Sequence, residues 1–346
     1  MVLKNTDNEI IIALRNLFTG AKKKFVVITH ENPDGDAIGS SIGIGEVLNN
    51  YGHQVTIVVP NAYPDFLKWF SSEIEIVVYE RKRSLAVSYL SDADVMVCVD
   101  FNEPKRVSRL KNKLLEFSRT KVLIDHHPNP VSFCDYMVSE PSYSSTAELV
   151  YDVIRKADME GYLNHDAAEA LFTGIMTDTG SFSHNIANSN TFRVVAKLME
   201  CGIDTEKIHA SVYHTFSEHR MKLLGHSLNK MKVFPEHRSA IIWLSQDELK
   251  EYKFQPGDIE GFVNYPLSIN NIVFSALFME KKGYVKASFR SKGSFPVNEF
   301  ANKHFSGGGH RNAAGGEVKL SLEESVERFT ELLKDYNHLL TQTTIN

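Results

Sequence analysis

The chain contains few cysteines and no long apolar run, and each shortage excludes a class of protein. Its three cysteines, Cys98, Cys134 and Cys201, cannot form a disulfide framework and lack the spacing of a metal site. No apolar stretch is long enough to span a membrane, and residues 1–20 are amphipathic with mixed charge, unlike a signal peptide. We therefore expect a cytoplasmic protein in a reducing compartment, with no membrane partner.

Positive charge is also scarce. The chain has 38 Lys and Arg against 43 Asp and Glu, which gives a formal net charge of −5, and it has no basic tract. Because binding of long duplex nucleic acid depends on neutralising many phosphates, we do not expect that partner. A short phosphorylated ligand held by a few local cations is compatible with this charge. A length of 346 residues exceeds the usual size of one core and predicts two domains.

The first half of the chain alternates strand and helix signals. Short runs rich in Val and Ile predict strands at residues 24–29, 54–59, 94–99 and 121–124, and periodic stretches such as 37–50 and 107–118 predict helices between them. Continuous apolar strands separated by helices indicate an α/β fold with a doubly wound, mostly parallel sheet. In such sheets, ligands bind at the carboxyl ends of the strands.

Aspartate and histidine residues gather where these segments end. They are His30, Asp34 and Asp36 around a Pro-Asp-Gly turn, Asp100, the triplet Asp125-His126-His127, and Asp178 at the end of a helical pattern over residues 165–177. Converging acids would repel one another in a low-dielectric cleft unless divalent cations neutralised them. Each piece alone is weak, since Asn-Pro-Asp-Gly is usually only a turn. Their combination predicts a two-metal hydrolase site.

The residue types also indicate which ions this site would bind. Two divalent ions about 3.5–4 Å apart need a shared carboxylate. Asp100 is the natural bridge because it follows a different strand, and His126 and Asp178 would complete the second ion. No cysteine belongs to the cluster, so its oxygen-rich ligands favour Mn²⁺ or Mg²⁺, and the imidazoles suit Mn²⁺ better. We predict two Mn²⁺ ions, with Mg²⁺ as the alternative.

A second compositional unit begins near residue 231. Its predicted strands lie at residues 239–244, 271–279 and 284–290, and its predicted helices lie at 297–304 and from Ser321 to about residue 340. Residues 281–283 predict a hairpin between the last two strands. Residues 218–230 predict a helix without a strong apolar face, which indicates a connector between the two domains.

A glycine-rich segment follows the helix predicted at 297–304. In Gly307-Gly308-Gly309-His310, the glycine N–H groups can form an anion-binding nest and His310 adds a donor. Such loops are common, but Arg290 near the end of a predicted strand can bind a terminal phosphate bidentately. Arg290 could instead form only a surface ion pair. The predicted phosphate subsite comprises Ser288, Arg290, Gly308, Gly309 and His310.

The ordered motifs from His30 to Gly315 resemble the DHH/DHHA1 phosphoesterase family over nearly the whole chain. Within that family they are similar to the short two-domain oligoribonucleases of the NrnA type, which are also phosphatases of 3′-phosphoadenosine 5′-phosphate (pAp). The resemblance implies a DHH catalytic domain over residues 1–200, a helical linker over 201–230 and a smaller α/β DHHA1 substrate-binding domain over 231–346. It also implies an active site in the cleft between the domains.

Carried over position by position, the resemblance implies a role for each site residue. His30, Asp34 and Asp100 would hold the first metal, and Asp36, Asp100, His126 and Asp178 the second, with Asp100 bridging. His127 would face the scissile phosphate as a catalytic residue, and Asp125 would orient the histidines. Arg106 matches the position of a phosphate-contacting arginine, although a solvated charge is the other interpretation.

The implied activity is hydrolysis of RNA or DNA di- to pentanucleotides, including the dinucleotides pGpG and pApA, to mononucleotides, together with dephosphorylation of pAp. Three alternatives stay open at this point. They are a dedicated pAp phosphatase, a soluble inorganic pyrophosphatase with the same metal cluster, and a nucleotide-binding module without catalysis, against which the complete ligand set argues. A homodimer is among the expected assemblies.

Overall fold

The computed structural model describes residues 8–183, 185–186 and 188–344. The chain divides into two compact units, Met1–Thr215 (unit 1) and Phe216–Asn346 (unit 2). The division falls inside the predicted linker, residues 201–230. The predicted amphipathic N-terminal stretch is described from residue 8 onward, and its residues 1–7 lie outside the described part.

Unit 1 alternates strands with helices. Its strands are β1 Lys24–Ile28, β2 Gln54–Val59, β3 Ile76–Val78, β4 Val95–Val99, β5 Thr120–Asp125 and β6 Tyr136–Ser139. Its helices are α1 Asn8–Phe18, α2 Gly35–Tyr51, α3 Arg83–Asp92, α4 Lys111–Glu116, α5 Thr146–Lys156, α6 His165–Asp178, α7 Asn190–Met199 and α8 Thr205–Tyr213. The strands form one six-stranded sheet in the order β3-β2-β1-β4-β5-β6 with every neighbouring pair parallel. The predicted doubly wound sheet is confirmed.

Each face of this sheet is covered by its own apolar core. In β1, Val27 packs into the core that contains Ile42 of α2 and Leu171 of α6, whereas Val26 packs into the core that contains Ala86 of α3. A strand with two buried faces has to be apolar throughout, so these strands lack an alternating polar side. The polar residues are therefore displaced to the ends of the strands.

Helices α2 and α6 approach each other closely through glycine. Gly35 and Gly39 stand four positions apart on α2 and share one face. A Cβ at Gly39 would overlap the carbonyl oxygen of Ala170, and a Cβ at Gly35 would overlap the side chain of Thr177. The approach thus brings the first turn of α2 against the last turn of α6, which ends at Asp178.

We expect Gly39→Ala to destabilise unit 1, because the added methyl group meets backbone atoms of α6 instead of a flexible side chain. The expected loss in free energy of unfolding is roughly 1–3 kcal/mol, the usual range for overpacking a core. Denaturant unfolding followed by circular dichroism measures it. Gly225→Ala, in the helix Glu218–Lys230 of unit 2, is the matched control, since no described atom lies within 4 Å of its added Cβ. Equal stability of the two variants would contradict a close helix crossing.

Unit 2 contains a second six-stranded sheet. Its strands are β7 Lys232–Phe234, β8 Ser239–Leu244, β9 Phe274–Lys281, β10 Tyr284–Ser291, β11 Gly308–His310 and β12 Ala313–Val318, and its helices are α9 Glu218–Lys230, α10 Gln246–Glu251, α11 Val297–Phe305 and α12 Leu322–Gln342. The strand order is β11-β12-β10-β9-β8-β7, with β8 and β9 parallel and the other neighbours antiparallel. Phe289 of β10, Phe300 of α11 and Phe329 of α12 belong to one buried cluster, so these helices cover one face of the sheet. The predicted second α/β unit is confirmed.

Several elements differ from the sequence analysis. Strands β3 and β6 were not predicted, because runs of three and four residues carry too little pattern. The predicted helix over residues 107–118 is interrupted, since Ser108 has a φ of 46° and α4 begins only at Lys111. Among the described helices, none combines the length and the apolarity needed to cross a membrane.

Helix α9 packs on the apolar core of unit 2. Its Leu223 and Leu224 are buried in a cluster with Ile242 of β8 and with Phe262. This apolar side is hard to recognise in the sequence because part of it is Arg220, whose guanidinium carbon lies 5.2 Å from the ring centre of Phe262. The helix that was expected to lack an apolar face therefore has one. The boundaries of the predicted linker stay a prediction.

Candidate metal centre

The first group of site residues follows β1. Asp34 caps α2, because its Oδ1 accepts hydrogen bonds from the backbone N–H of Asp36 (3.1 Å) and of Ala37 (3.0 Å). His30 lies on the preceding turn, where its Nδ1 is 2.8 Å from the carbonyl oxygen of Glu31. This contact directs Nε2 towards Asp34, whose Oδ1 is 3.8 Å away. The Asn-Pro-Asp-Gly-Asp sequence thus forms a turn, and the same turn places the side chain of Asp34 next to His30.

Asp100 follows β4 and lies at the centre of the site. It is 2% exposed, and its φ of 65° is in the left-handed region that few residues other than glycine adopt. Its Oδ2 is 3.3 Å from Nε2 of His30, and its Oδ1 accepts a hydrogen bond of 2.8 Å from the hydroxyl of Thr146. The carboxylate therefore presents its two oxygens to different neighbours.

His126 and Asp178 complete a second group with Asp36. The Nδ1 of His126 is 3.2 Å from the carbonyl oxygen of Tyr143, which directs Nε2 into the site. That Nε2 is 3.6 Å from Asp178 Oδ2, 3.8 Å from Asp36 Oδ2 and 3.9 Å from Asp100 Oδ1. One imidazole nitrogen thus faces three carboxylates that come from three separate segments.

His127 has a different environment from that of His126. Its Nδ1 lies 2.8 Å from Oδ1 of the buried Asp125 and 3.6 Å from Asp100 Oδ1. Such a carboxylate fixes the ring orientation and the proton position of a histidine. The contact leaves Nε2 on the side of the ring opposite Asp125.

Two of the groups whose ligand atoms lie within 4.8 Å of one another are His30 with Asp34 and Asp100, and Asp36 with His126 and Asp178. They coincide with the two sets of ligands that the resemblance implies, except that the second group does not include Asp100. Asp100 faces both sets, because its Oδ2 lies near His30 of the first set and its Oδ1 lies towards His126 of the second. The structure thus brings together all six predicted ligand residues. Their binding of metal stays a prediction.

The electrostatics of the second set favour bound cations. Burial raises the pKa of Asp36 well above its usual value, and the charges of Asp100 and Asp178 raise it further. Burial also raises the pKa of Asp178 to about 6, although His126 opposes this shift. Several buried carboxylates thus compete for little positive charge. A bound divalent cation would stabilise all of them in the ionised form.

When no cation is bound, His30 and His126 supply the positive charge near these carboxylates. Burial lowers the pKa of His30, but hydrogen bonds to Asp100 and Asp34 outweigh it and raise that pKa to about 10. Burial likewise opposes protonation of His126, but the charges of Asp178, Asp36 and Asp100 raise its pKa to about 9. A cation would replace these protons, since metal ligands bind in their deprotonated forms.

One unsatisfied atom supports the same interpretation. Asp178 Oδ2 is buried and has no hydrogen-bond partner among the residues that the structure describes. A buried polar atom in that state costs free energy unless another group satisfies it. The donor set of carboxylates and imidazoles also fits Mn²⁺ or Mg²⁺. The residues present therefore fit a divalent metal centre.

Sequence reasoning missed the start of α5 as part of this site. Asp36 accepts the backbone N–H of Thr146 (2.7 Å) and that of Ala147 (2.8 Å). The available signal was Ser145 followed three residues later by Glu148, a typical start of a helix. The contact with Asp36, 110 residues earlier, has no local signature.

The predicted phosphate subsite forms part of the second sheet. Antiparallel pairing aligns Gly308 with Gly315 and Ser288, and it aligns His310 with Ala313 and Arg290. Directly paired residues share one face of a sheet. The structure therefore brings Ser288, Arg290, Gly308 and His310 to two adjacent rows of the face that is opposite Phe289.

One expectation about the glycine segment needs correction. Gly308–His310 is the edge strand β11 and not an open loop. Gly309, with a φ of 142°, belongs to the row of Ala314 and Phe289 on the buried face, where a Cβ would lie 2.8 Å from the Cα of Ala314. Close packing thus accounts for a glycine at position 309, and contact of Gly309 with a phosphate stays a prediction. Close packing does not explain Gly308, since no described atom lies within 4 Å of a Cβ built there.

Arg106 lies beside the first group of site residues. Its carbonyl oxygen accepts a hydrogen bond of 2.7 Å from the backbone N–H of Glu31, next to His30. The side chain is half-buried on a 3₁₀ helix that follows β4. Contact of Arg106 with a phosphate stays a prediction.

Comparisons with known proteins agree with this architecture. The model of the DHH family's N-terminal domain matches residues 24–175, and the model of the DHHA1 domain matches residues 241–339. These matches and the site geometry define a two-domain phosphoesterase. The chain belongs to the DHH family, and its second unit carries a DHHA1 domain.

Individual relatives extend over most of the chain. The bifunctional oligoribonuclease and PAP phosphatase NrnA of Thermus thermophilus is 29% identical over 310 residues, 89% of either chain. The crystal structure of an exopolyphosphatase-related protein from Bacteroides fragilis has a TM-score of 0.92 and 39% identity, and covers 98% of this chain and 100% of that one. RecJ of Thermus thermophilus in complex with Mn²⁺ has a TM-score of 0.54 and 15% identity over 96% of this chain and 54% of its own, which shows the fold alone.

Proposed function

We propose that this protein is a Mn²⁺-dependent phosphoesterase that degrades di- to pentanucleotides, including pGpG and pApA, to mononucleotides and also dephosphorylates pAp. The observation that carries the proposal is the pair of ligand sets that Asp100 joins at the carboxyl edge of the sheet. The relative from Thermus thermophilus, named as an oligoribonuclease and PAP phosphatase, supports this choice of substrates. Mg²⁺ is the alternative ion, and a homodimer is the proposed assembly.

In this proposal, the first ion is held by His30, Asp34 and Asp100, and the second by Asp36, Asp100, His126 and Asp178. When bound, the ions supply the positive charge that stabilises a phosphoryl transition state and activates water. His127 acts as a catalytic residue on the phosphate through Nε2, because Asp125 holds its Nδ1. Arg106 adds a positively charged contact to the phosphate.

Unit 2 recognises the end of the substrate. Ser288, Arg290, Gly308 and His310 provide a hydroxyl, a guanidinium group, an imidazole and an uncovered backbone position on one face of the sheet. Arg290 on β10 and His310 on β11 lie in one row, two strands apart across β12. Since strands are spaced by about 4.8 Å, the two residues are roughly 10 Å apart, a distance suited to a terminal phosphate and its nucleoside.

A substrate panel tests the proposal. The full chain with Mn²⁺ is incubated with pApA, pGpG, a five-nucleotide RNA, pAp and pyrophosphate, and the products are resolved by mass spectrometry. We expect mononucleotides from the oligonucleotides, AMP and phosphate from pAp, and no turnover after chelation. Hydrolysis of pAp alone would establish the dedicated phosphatase instead, and hydrolysis of pyrophosphate alone would contradict the choice of substrate.

We expect Arg290→Ala to raise KM for pApA far more than for bis-p-nitrophenyl phosphate, which has no terminal phosphate to bind. Loss of one charge-assisted contact costs roughly 1.5–3 kcal/mol, or about ten- to a hundredfold in kcat/KM for pApA. Lys286→Ala is the matched control, since Lys286 lies on the same face of β10, four residues earlier. An equal loss with both substrates would assign Arg290 to folding, and no loss would place the subsite elsewhere.

A further inference from the structure

We infer that Thr146 and Glu148, at the start of α5, are positioning residues that set the affinity of the site for divalent cations. The inference rests on the proposed function, because it assigns these residues a role towards the proposed metal ligands. Neither side chain belongs to the two ligand sets, and the mechanism proposed above does not use either of them.

Thr146 contacts two of the proposed ligands at once. Its hydroxyl donates to Asp100 Oδ1 (2.8 Å), and its backbone N–H donates to Asp36 Oδ2 (2.7 Å). The N–H of Ala147 donates to the other oxygen of Asp36, at 2.8 Å. Both carboxylates therefore have their orientation set by the first turn of one helix.

The start of a helix suits this task for a physical reason. Its first N–H groups lack partners within the helix and carry a partial positive charge. Asp36 uses two of these groups on α5, so its ionised form is oriented and stabilised although it lies among other acids. Asp100 receives a hydroxyl instead, which occupies one lone pair of the oxygen that faces His126. The remaining lone pairs of the Asp100 carboxylate then point in a defined direction, in which they can bind a cation.

Glu148 fixes the turn from which these donors project. It is 1% exposed, and its Oε2 accepts hydrogen bonds from the backbone N–H of Ser144 (3.0 Å), the hydroxyl of Ser144 (2.6 Å) and the hydroxyl of Thr191 (2.9 Å). Its Oε1 accepts one from the side-chain amide of Asn190, at 2.7 Å. One buried carboxylate thus ties the turn before α5 to the first residues of α7.

This arrangement joins parts of the site that the sheet alone does not hold together. Helix α7 begins in the chain after Asp178, the ligand at the end of α6, and α5 carries the donors to Asp36 and Asp100. Burying a carboxylate costs free energy that neutral hydrogen bonds offset only in part. Leucine or methionine would fill the same volume without that cost. We attribute the charge at Glu148 to its several acceptor positions, which a smaller polar residue would not supply.

The test measures binding of Mn²⁺ by the full chain, free of substrate, using isothermal titration calorimetry or electron paramagnetic resonance of the unbound ion. Thr146→Val keeps the shape of the side chain and removes the hydroxyl, whereas Thr146→Ser restores the hydroxyl. Loss of a group that orients a metal ligand typically costs 10–100-fold in metal affinity, so we expect a rise in Kd of about that size for Thr146→Val and recovery to within about threefold for Thr146→Ser.

Glu148→Gln provides the second variant, since it replaces acceptors with an amide that opposes the donors of Ser144, Asn190 and Thr191. We expect weaker binding of Mn²⁺, with KM for pApA changed less than kcat. Glu46→Gln is the matched control, because Glu46 on α2 is also a buried carboxylate, 5% exposed, that accepts side-chain hydrogen bonds from Ser72 and Asn164, and it lies ten residues after Asp36 on that helix. Its affinity for Mn²⁺ is expected to equal that of the wild type.

Three outcomes decide the matter. Wild-type affinity in Thr146→Val and Glu148→Gln, with only the melting temperature lowered, would overturn the inference and leave the proposed function intact. Absence of Mn²⁺ binding by the wild-type chain would overturn both. If Thr146→Val does not fold, wild-type affinity in Glu148→Gln or weak binding by Thr146→Ser still contradicts the inference.

Discussion

Asp100→Asn is expected to abolish hydrolysis in a folded protein. The amide cannot serve as a shared anionic ligand, so both proposed ions lose an oxygen at once, and we expect kcat to fall roughly 10³-fold or more. Asparagine is the informative substitution because it tolerates a positive φ well, and the φ of Asp100 is 65°. Alanine would add a strained backbone to the chemical change. Rates with pApA at saturating Mn²⁺, together with the metal content of the purified protein, measure the effect.

Asp94→Asn is the matched control for this substitution. Asp94 directly precedes the same strand, at its amino end, where its carboxylate accepts the backbone N–H of Lys24 at 2.9 Å. We expect turnover close to that of the wild type. If Asp100→Asn also turned over pApA at a near wild-type rate with saturating Mn²⁺, the two-metal proposal would be wrong.

The two histidines of the Asp125-His126-His127 triplet are expected to separate metal binding from catalysis. His126 directs Nε2 towards Asp36, Asp100 and Asp178, so His126→Ala is expected to lower the metal content by removing one ligand of the second ion. His127 has its Nδ1 against Asp125, so His127→Ala is expected to keep the metal. Its kcat is expected to fall about 10²–10³-fold, the usual effect of losing one group that stabilises transition-state charge.

Elemental analysis of both variants, beside rates with pApA, checks this separation. Asp125→Asn is a third variant. It changes the group that orients the His127 ring and leaves the imidazole itself in place. We expect it to lower kcat by a smaller factor than His127→Ala does. Loss of metal in His127→Ala and retention in His126→Ala would mean that the two roles are exchanged.

Much of the fold is predictable because the sheet of unit 1 has two buried faces. Strands such as β4 are short continuous apolar runs, and helices with regular spacing lie between the strands, so the parallel order follows. Edge elements are less predictable. β6 has four residues, and its place beside β5 depends on pairing across the sheet and not on any local pattern.

The site likewise has a part that was predictable from the sequence and a part that was not. The proposed ligands were found because parallel strands end at one edge of a sheet, so residues such as His30 and Asp100 must come together wherever the chain goes between them. The conformation of Asp100 at positive φ and the separate directions of its two oxygens were not apparent. These features depend on contacts with residues far away in the chain.

The glycine segment is another place where the sequence alone did not predict the environment of each residue. Sequence alone suggested an anion-binding role for the whole segment Gly307-Gly308-Gly309. Pairing of β11 with β12 assigns Gly309 to close backbone packing and leaves only Gly308 uncovered by a described atom. Composition cannot distinguish these positions, because a glycine reads the same whether neighbouring atoms exclude a side chain, as at Gly309, or leave room for one, as at Gly308.

Local sequence thus determined which residues are candidates for the chemistry and at which end of each strand they lie, since strand length and side-chain type are encoded within a few residues. Only the tertiary structure decided how these residues are oriented. Asp36 takes its direction from the first turn of α5, and Glu148 holds that turn against Asn190 and Thr191. Each of these hydrogen bonds joins residues far apart in the chain, and no local pattern records which distant donor will meet a given carboxylate.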